Sequence, residues 1–367
     1  MKINQIQVLG THNSYAQPID TQVMSYVSRV LEPMLAARLE GMTEEQRAEY
    51  DEYHPNKVPM REALAYDHPA LGEQLEAGMR SLEIDVFYDP TGNRFAEPAS
   101  YRFLQTKGAE DFLPHDTTGM AKPGYKVLHI PDFDFRSHCP TFQDCLGELK
   151  AWSDTHPDHI PVFILLEIKQ QGLPIFPQPT EVIPFDSLAF EALDKELLQG
   201  LGRNKLIIPD DVRGNFKTLE EGVLAQNWPL LKDARGKFVF LMLPAIDENA
   251  ASLYWKGRPS LEGRMMFVRS TPGTPKSAFL LLDNAIVRQD EIKEYVKQGY
   301  LVRSRSDIET YEAKVNDKKR AEAAFTSGAQ IISTDFFKPG NPYGTEYYVE
   351  LPGKGVVRMN PVFQAEK

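Results

Sequence analysis

Acidic side chains interrupt two of the most apolar segments of the sequence. Glu83 and Asp85 lie two residues apart in SLEIDVFYD, and Glu167 lies in FILLEIK. Residues two apart on a strand point to the same face, and a carboxylate that faces the interior must be protonated, paired or bound to a metal ion. For Glu83 and Asp85 the alternative is an outward-facing strand surface with salt bridges. For Glu167 the alternative is neutralisation by Lys169, two residues further along the same face.

An amide side chain at the end of the first predicted strand completes an all-oxygen set. Asn13 lies in THNSY, directly after the apolar segment 3–9. Carboxylate and amide oxygens suit the hard cations Ca²⁺ and Mg²⁺ better than zinc, and Ca²⁺ accepts a flexible mixture of ligands with room for water and substrate oxygens. We therefore predict a Ca²⁺ cofactor, with Mg²⁺ less favoured, held by Asn13, Glu83, Asp85 and Glu167.

Two histidines also end predicted strands. His12 precedes Asn13, and His129 lies in VLHIPD. A single histidine at a strand end is more often a structural hydrogen-bonding group, but two of them beside a candidate metal site favour acid–base work or phosphate stabilisation. Late in the chain, RSRSD carries Arg303, which could contact a phosphate or hydroxyl group or could equally pair with barrel acids. The remaining histidines show no supporting pattern.

The scaffold for these side chains must bring several strand ends together. Eight short apolar segments alternate with helix-like segments at 71–80, 141–154, 185–199, 288–297 and 316–327; the apolar segments are 3–9, 81–88, 126–130, 162–168, 238–243, 266–269, 301–304 and 331–334. This alternation predicts an α/β fold with buried parallel strands, and eight of them suggest a (β/α)₈ TIM-type barrel whose strand ends share one mouth. Segment 205–208 is a ninth candidate that we place outside the barrel.

Length and composition are consistent with one globular domain. The 367 residues are 42% hydrophobic and 25% charged, with no internal repeat or extended linker. We predict a single catalytic domain over 1–367, with a long insertion at about 15–70 and an extension from about 338 that includes a short hairpin near 347–358. Within the insertion, TEEQRAEYDEY predicts an exposed charged helix. We favour a solvent-exposed insertion without a role in the site over a lid that covers the site.

Charge and cysteine content limit the class of partner and the compartment. The net charge of −11 argues against a broad electrostatic contact with nucleic acid, and no apolar run reaches the length of a membrane span. The start, MKINQIQVLG, lacks the apolar region of a secretory signal. Cys139 and Cys145 are either two buried thiols or a disulfide that would favour an oxidising compartment. We expect a monomer that is secreted or periplasmic, its signal absent from this numbering; a cytoplasmic protein is the alternative.

Several of these motifs together resemble a known family. HNSY, the segment LGEQLEAGMRSLEIDV, the histidine of the third strand and the glutamate of the fourth are similar to the catalytic barrel of phosphoinositide-specific phospholipases C, in particular the bacterial calcium-dependent group. RSRSD, STDF and the terminal RMNP resemble later segments of that group, so the resemblance covers nearly the whole chain.

The resemblance implies a reaction and a role for each site residue. Asn13, Glu83, Asp85 and Glu167 would bind Ca²⁺, and His12 and His129 would act on the phosphate. The family cleaves phosphatidylinositol at a membrane surface by attack of the inositol 2-hydroxyl on phosphorus, which gives diacylglycerol and a cyclic inositol phosphate. Lys169 and Arg303 are then candidates to hold phosphate or inositol hydroxyls.

Two other functions remain as alternatives. Glycerophosphodiester phosphodiesterases share a metal-binding barrel with two histidines and an E-x-D pair, but their first strand usually ends in His-Arg, whereas this chain has His12-Asn13. A barrel that binds lipid without catalysis is the second alternative, and the presence of all six polar residues argues against it.

Overall fold

Eight parallel strands curl into a barrel, as the alternation of apolar and helical segments predicts. In ring order they are β1 (Ile6–Thr11), β2 (Ser81–Asp89), β4 (Val162–Lys169), β6 (Phe238–Pro244), β7 (Phe267–Val268), β8 (Phe279–Leu281), β9 (Leu301–Arg305) and β10 (Ile331–Thr334). Between β7 and β8 the ring is joined by a single parallel bridge, Arg269 with Phe279. The fold comes from a computed structural model that describes residues 1–244 and 251–364. The core of the fold is apolar, with residues such as Ile84, Leu165 and Phe240 essentially inaccessible to solvent.

Helices cover the outside of the barrel and its two ends. They are α1 (Thr21–Glu40), α2 (Glu44–Tyr53), α3 (Met60–Ala63), α4 (Leu71–Glu76), α5 (Ala99–Gln105), α6 (Phe142–Thr155), α7 (Ser187–Leu201), α8 (Pro209–Arg213), α9 (Leu219–Leu224), α10 (Ala285–Gln298), α11 (Tyr311–Val315), α12 (Lys319–Ser327) and α13 (Pro361–Gln364). Side-chain caps begin several of them: Asp20 caps α1, Thr141 caps α6 and Asp186 caps α7. No helix in the described part of the chain is long and apolar enough to span a bilayer.

The identity of the barrel strands differs from the sequence prediction at two places. Segment 126–130 was expected as the third barrel strand, but β3 (Gly124–Val127) runs antiparallel to the end of β2. Without that segment, seven of the predicted strands belong to the barrel. The eighth barrel strand is β8, which the prediction did not include. Segment 205–208, which we place outside the barrel, forms β5 (Leu206–Ile207), a two-residue strand that pairs with the start of β6 and is not part of the ring. An apolar run shows burial but not strand direction, which depends on the chain's tertiary path.

The C-terminal extension contains no hairpin at 347–358, so this prediction was wrong. Instead, β11 (Arg358–Met359) pairs antiparallel with the start of β1. Arg358 donates through Nε to Gln7 Oε1 at 2.6 Å, which holds the segment in place. The extension therefore closes against the amino-terminal end of the barrel rather than folding on itself.

The insertion at 15–70 bridges the mouth of the barrel, where the carboxyl ends of the strands meet. Helix α1 packs through Val27 and Leu31 into a separate apolar cluster with residues of the loops that follow β2 and β4. At its far end, Glu52 pairs with Arg288 at 2.7 Å and Glu62 pairs with Lys314 at 2.5 Å. The predicted charged helix forms as α2, without buried residues. The insertion thus connects loops on both sides of the mouth.

The two cysteines form a disulfide, Cys139–Cys145, with their Cα atoms 5.2 Å apart. It joins the loop before α6 to the first turn of that helix. Closing so short a loop removes a modest entropy from the unfolded chain, so we expect the Cys139→Ser, Cys145→Ser double variant to lose about 2 kcal/mol of unfolding free energy. Urea denaturation of oxidised and reduced wild type and of the variant measures this. Equal midpoints for oxidised and reduced wild type would contradict the expectation.

Candidate active site

Three carboxylates meet at the mouth of the barrel. Glu83 and Asp85 lie on β2, and Glu167 lies on β4 directly beside Asp85 in the parallel register. One oxygen from each lies within 4.8 Å of the others, a separation at which a single cation can touch all three. The side chains of Glu83 and Asp85 are 5% and 0% exposed, while that of Glu167 is 24% exposed. The cluster is therefore open towards solvent on the Glu167 side.

The chemistry of this cluster fits a divalent cation. Both carboxylate oxygens of Asp85 are buried, and the Lys169 ammonium lies 2.9 Å from Oδ2. Burial raises the pKa of Glu83 to about 7, opposed by Arg303, and raises the pKa of Asp85 to about 6, opposed by Lys169. Such groups hold their charge at a cost that a bound cation would remove.

The two basic side chains predicted to contact the substrate, Lys169 and Arg303, are paired with these acids. Lys169 Nζ lies 2.9 Å from Asp85 Oδ2 and 3.1 Å from Glu167 Oε2. Burial would lower the pKa of Lys169, but the two carboxylates outweigh it and raise the pKa. Arg303 donates to Glu83 Oε2 at 2.9 Å and also to Asp283. Their predicted contact with phosphate or inositol hydroxyls stays a prediction, and their present contacts are ion pairs with barrel acids.

Asn13 enters the site through an unusual backbone conformation and a partner from the insertion. Its φ of 45° lies in the left-handed region, which asparagine tolerates better than most residues. Its Nδ2 donates to the hydroxyl of Tyr66 at 2.6 Å. The next residue, Ser14, donates through its backbone N–H to Glu83 O at 2.9 Å. These contacts place Asn13 beside the acidic cluster and use its NH₂ group, which leaves its Oδ1 for a cation.

Tyr66 is therefore a positioning residue for the predicted amide ligand. We expect Tyr66→Phe to weaken Ca²⁺ binding by about fivefold, because a lost hydrogen bond of this kind is worth about 1 kcal/mol. Calcium titration by calorimetry measures the dissociation constant. Tyr88→Phe, a matched change at a half-buried tyrosine outside the cluster, should leave it unchanged. Equal affinities for wild type and Tyr66→Phe would remove this role.

His12 belongs to a hydrogen-bonded pair at the junction of β1 and β10. Thr11 and Thr334 are register partners, so the residues that follow them, His12 and Asp335, emerge side by side. His12 Nδ1 lies 3.0 Å from Asp335 Oδ1, and Nε2 lies 3.9 Å from Glu83 Oε1. Burial and the nearby Arg305 lower the pKa of His12 well below its usual value. The contact with Asp335 occupies Nδ1 and turns Nε2 towards the acidic cluster.

His129 is held by a tight turn just after β3. Its Nδ1 lies 2.8 Å from Asp134 Oδ2, and its backbone N–H donates to the carbonyl of Asp134 at 3.1 Å. The side chain of His129 is 19% exposed, as is that of His12. Each imidazole therefore is partly exposed and has a carboxylate on Nδ1, the arrangement in which a carboxylate orients a catalytic histidine.

Several contributors to this site were missed by the sequence prediction. They are Tyr66, Asp134, Asp283 and His68, whose Nε2 lies 2.9 Å from the backbone carbonyl of His12. Asp134 was detectable, because a carboxylate five residues after a candidate histidine in a turn-like segment is a natural partner. Tyr66, Asp283 and His68 approach the site only through the tertiary fold, and no pattern in the sequence points to them.

Comparisons with known proteins give the family and the fold of this chain. The model of the family described as phosphoinositide phospholipase C, Ca²⁺-dependent, matches residues 1–361. A calcium-dependent phosphoinositol-specific phospholipase C from Pseudomonas sp., solved with myoinositol, has a TM-score of 0.54 at 14% identity, over 98% of this chain and 95% of that chain. A Ca²⁺-dependent phosphatidylinositol-specific phospholipase C from Streptomyces antibioticus has a TM-score of 0.54 at 16% identity, over 91% and 95%.

A search of curated proteins gives no match. At 14% and 16% identity the two solved structures support the fold, the TIM-type barrel of phospholipase C enzymes. The family match spans nearly the whole chain and therefore shows the family as well as the fold. This chain belongs to the Ca²⁺-dependent phosphoinositide phospholipase C family, and it is an enzyme.

Proposed function

We propose that this enzyme cleaves phosphatidylinositol to diacylglycerol and a cyclic inositol phosphate, and that it needs Ca²⁺ to do so. The observation that carries the proposal is the cluster of Glu83, Asp85 and Glu167 with His12 and His129 as candidate proton-transfer groups. Asn13 would complete the ligand set. Bound there, Ca²⁺ would lower the pKa of the attacking hydroxyl and neutralise a phosphate oxygen as charge develops.

The residues of the chain would supply the proton transfers. The inositol 2-hydroxyl oxygen forms a bond to phosphorus, and the bond from phosphorus to the glycerol oxygen breaks. In our proposal His12 accepts the hydroxyl proton on Nε2, because Asp335 holds the other ring nitrogen. His129, oriented by Asp134, delivers a proton to the departing glycerol oxygen. The products are neutral diacylglycerol and an inositol cyclic phosphate, so atoms and protons balance.

Phosphorus NMR of phosphatidylinositol turnover tests this function. We expect a resonance of a five-membered cyclic phosphate diester to appear when Ca²⁺ is present and to be absent in excess chelator. Release of free glycerol 3-phosphate instead would favour a glycerophosphodiesterase. Binding of lipid vesicles without any phosphorus product would favour the non-catalytic barrel. Either outcome would overturn the proposal.

We also propose a compartment for this enzyme, on the basis of its disulfide. A disulfide persists in oxidising environments, so Cys139–Cys145 supports a secreted or periplasmic enzyme over a cytoplasmic one. The predicted monomeric state and the single catalytic domain over 1–367 also stay proposals, and sedimentation of the purified chain tests the former.

A further inference from the structure

An apolar groove lies beside the candidate active site, between the insertion and the C-terminal extension. Its volume is about 530 Å³, and its apolar wall consists of Pro18, Ile19, Met24, Leu64, Ala65 and Pro342. The insertion supplies all of these residues except Pro342. In an enzyme with a net charge of −11, such a groove offers binding energy that does not depend on electrostatic attraction.

Tyr66 connects this groove to the site. Its ring lines the groove, its hydroxyl accepts the hydrogen bond from Asn13, and its ring centroid lies 5.6 Å from that of His12. Tyr66 therefore contacts the polar groups of the site and also lines the groove. A ligand that spans this boundary must be polar at one end and apolar at the other.

The walls of the groove are fixed by their other contacts. Met24 belongs to the apolar cluster of α1, and Leu64 packs against the same cluster. Glu62, two residues before Leu64, is held through its backbone carbonyl by Thr310 at 2.8 Å and through its side chain by Lys314 at 2.5 Å. The groove is thus formed before any ligand arrives, which is how most small-molecule sites are built.

We propose that this groove, which we call the insertion groove, binds the glycerol backbone and first acyl carbons of the lipid whose phosphate lies at the metal site. The inference rests on the proposed function, because cleavage of phosphatidylinositol makes diacylglycerol the leaving group. This proposal explains why an apolar surface lies directly beside a polar site, and it gives the 15–70 insertion a role in substrate recognition. Specificity for a diacylated substrate over a free headgroup ester then resides in residues outside the catalytic set.

A chain-length series of soluble substrates tests the groove. Dibutanoyl and dihexanoyl phosphatidylinositol, below their micellar concentrations, are compared with glycerophosphoinositol, which has no acyl chain. Each methylene that leaves water is worth about fourfold in binding, so we expect the KM of the wild type to fall at least about tenfold from the dibutanoyl to the dihexanoyl lipid. Ala65→Trp fills the groove and should reduce this gain to less than about threefold, and it should lower the turnover of glycerophosphoinositol less than that of the dihexanoyl lipid.

Two further variants make the result decisive. Ile19→Ser removes apolar wall without adding bulk and should flatten the same dependence on chain length. Met34→Trp, at a residue of α1 that is 61% exposed and outside the groove, is the matched control and should behave as wild type. A chain-length dependence that survives both groove variants would overturn the proposal, as would a rate increase that occurs only above the micellar concentration. If the wild type makes no cyclic phosphate from any substrate, the proposed function fails instead.

Discussion

Replacing His12 with alanine is expected to lower kcat by at least about 10²-fold, the contribution of a positioned acid–base group. The imidazole is 3.0 Å from Asp335 through Nδ1 and turns Nε2 towards the acidic cluster, so the substitution removes the group that would accept the substrate proton. Calcium affinity should stay close to that of wild type, because His12 is not one of the oxygen ligands. Steady-state kinetics on phosphatidylinositol and a calcium titration measure both quantities.

A double-variant comparison separates this role from a merely structural one. Asp335→Asn should lower kcat less than His12→Ala does, and the double variant should be no slower than His12→Ala alone, because the carboxylate acts only through the imidazole. His156→Ala is the matched control, since His156 stacks on Trp152 outside the site. Unchanged turnover in His12→Ala would exclude His12 from the mechanism, and additive losses in the double variant would separate Asp335 from it.

The acidic cluster could be predicted because ionisable groups within apolar strands are costly and therefore few. Glu83, Asp85 and Glu167 are visible on those grounds alone, and a parallel sheet brings the ends of neighbouring strands together. What the sequence does not contain is the register. That Asp85 lies directly beside Glu167, and that His12 and Asp335 follow paired threonines, depends on how the strands align.

The prediction was less successful where the structure depends on tertiary contacts. β8 is three residues long, in the run AFLLL, and a short apolar run does not distinguish a strand from part of a buried helix. The insertion was expected to be a solvated decoration, since its helix α2 is charged and exposed. Its contribution to the site comes instead from Tyr66 and His68, which follow no periodic pattern. Tyr66 reaches Asn13 only because both ends of the insertion are fixed at the mouth.

Removal of Ca²⁺ is expected to abolish activity, and Asp85→Asn should weaken Ca²⁺ binding by at least about 100-fold, because even supporting residues of metal sites cost about 10- to 100-fold when changed. The Asp85 carboxylate is buried and paired with the Lys169 ammonium at 2.9 Å, and asparagine replaces it with a group of nearly the same shape but without its charge. Stability gives a readout independent of turnover. A ligand at 100 times its dissociation constant adds about 2.7 kcal/mol to the unfolding free energy, so saturating Ca²⁺ should raise the Tm of wild type and not that of Asp85→Asn.

The comparison of Tm values also tests whether the buried carboxylates destabilise the folded protein when no cation neutralises their charge. Burial and the neighbouring Glu167 raise the pKa of Asp85, which means that its charged form is disfavoured in the folded protein. In chelator, Asp85→Asn should therefore unfold at a temperature no lower than wild type, whereas Glu196→Gln, a carboxylate on α7 outside the cluster, should keep the full Ca²⁺-dependent rise. Mg²⁺ should produce a smaller rise than Ca²⁺. Full wild-type activity in excess chelator, or an equal Ca²⁺-dependent rise in Asp85→Asn, would contradict the metal assignment, because no other group of three acidic or histidine ligands is close enough to hold a cation in the described part of the chain.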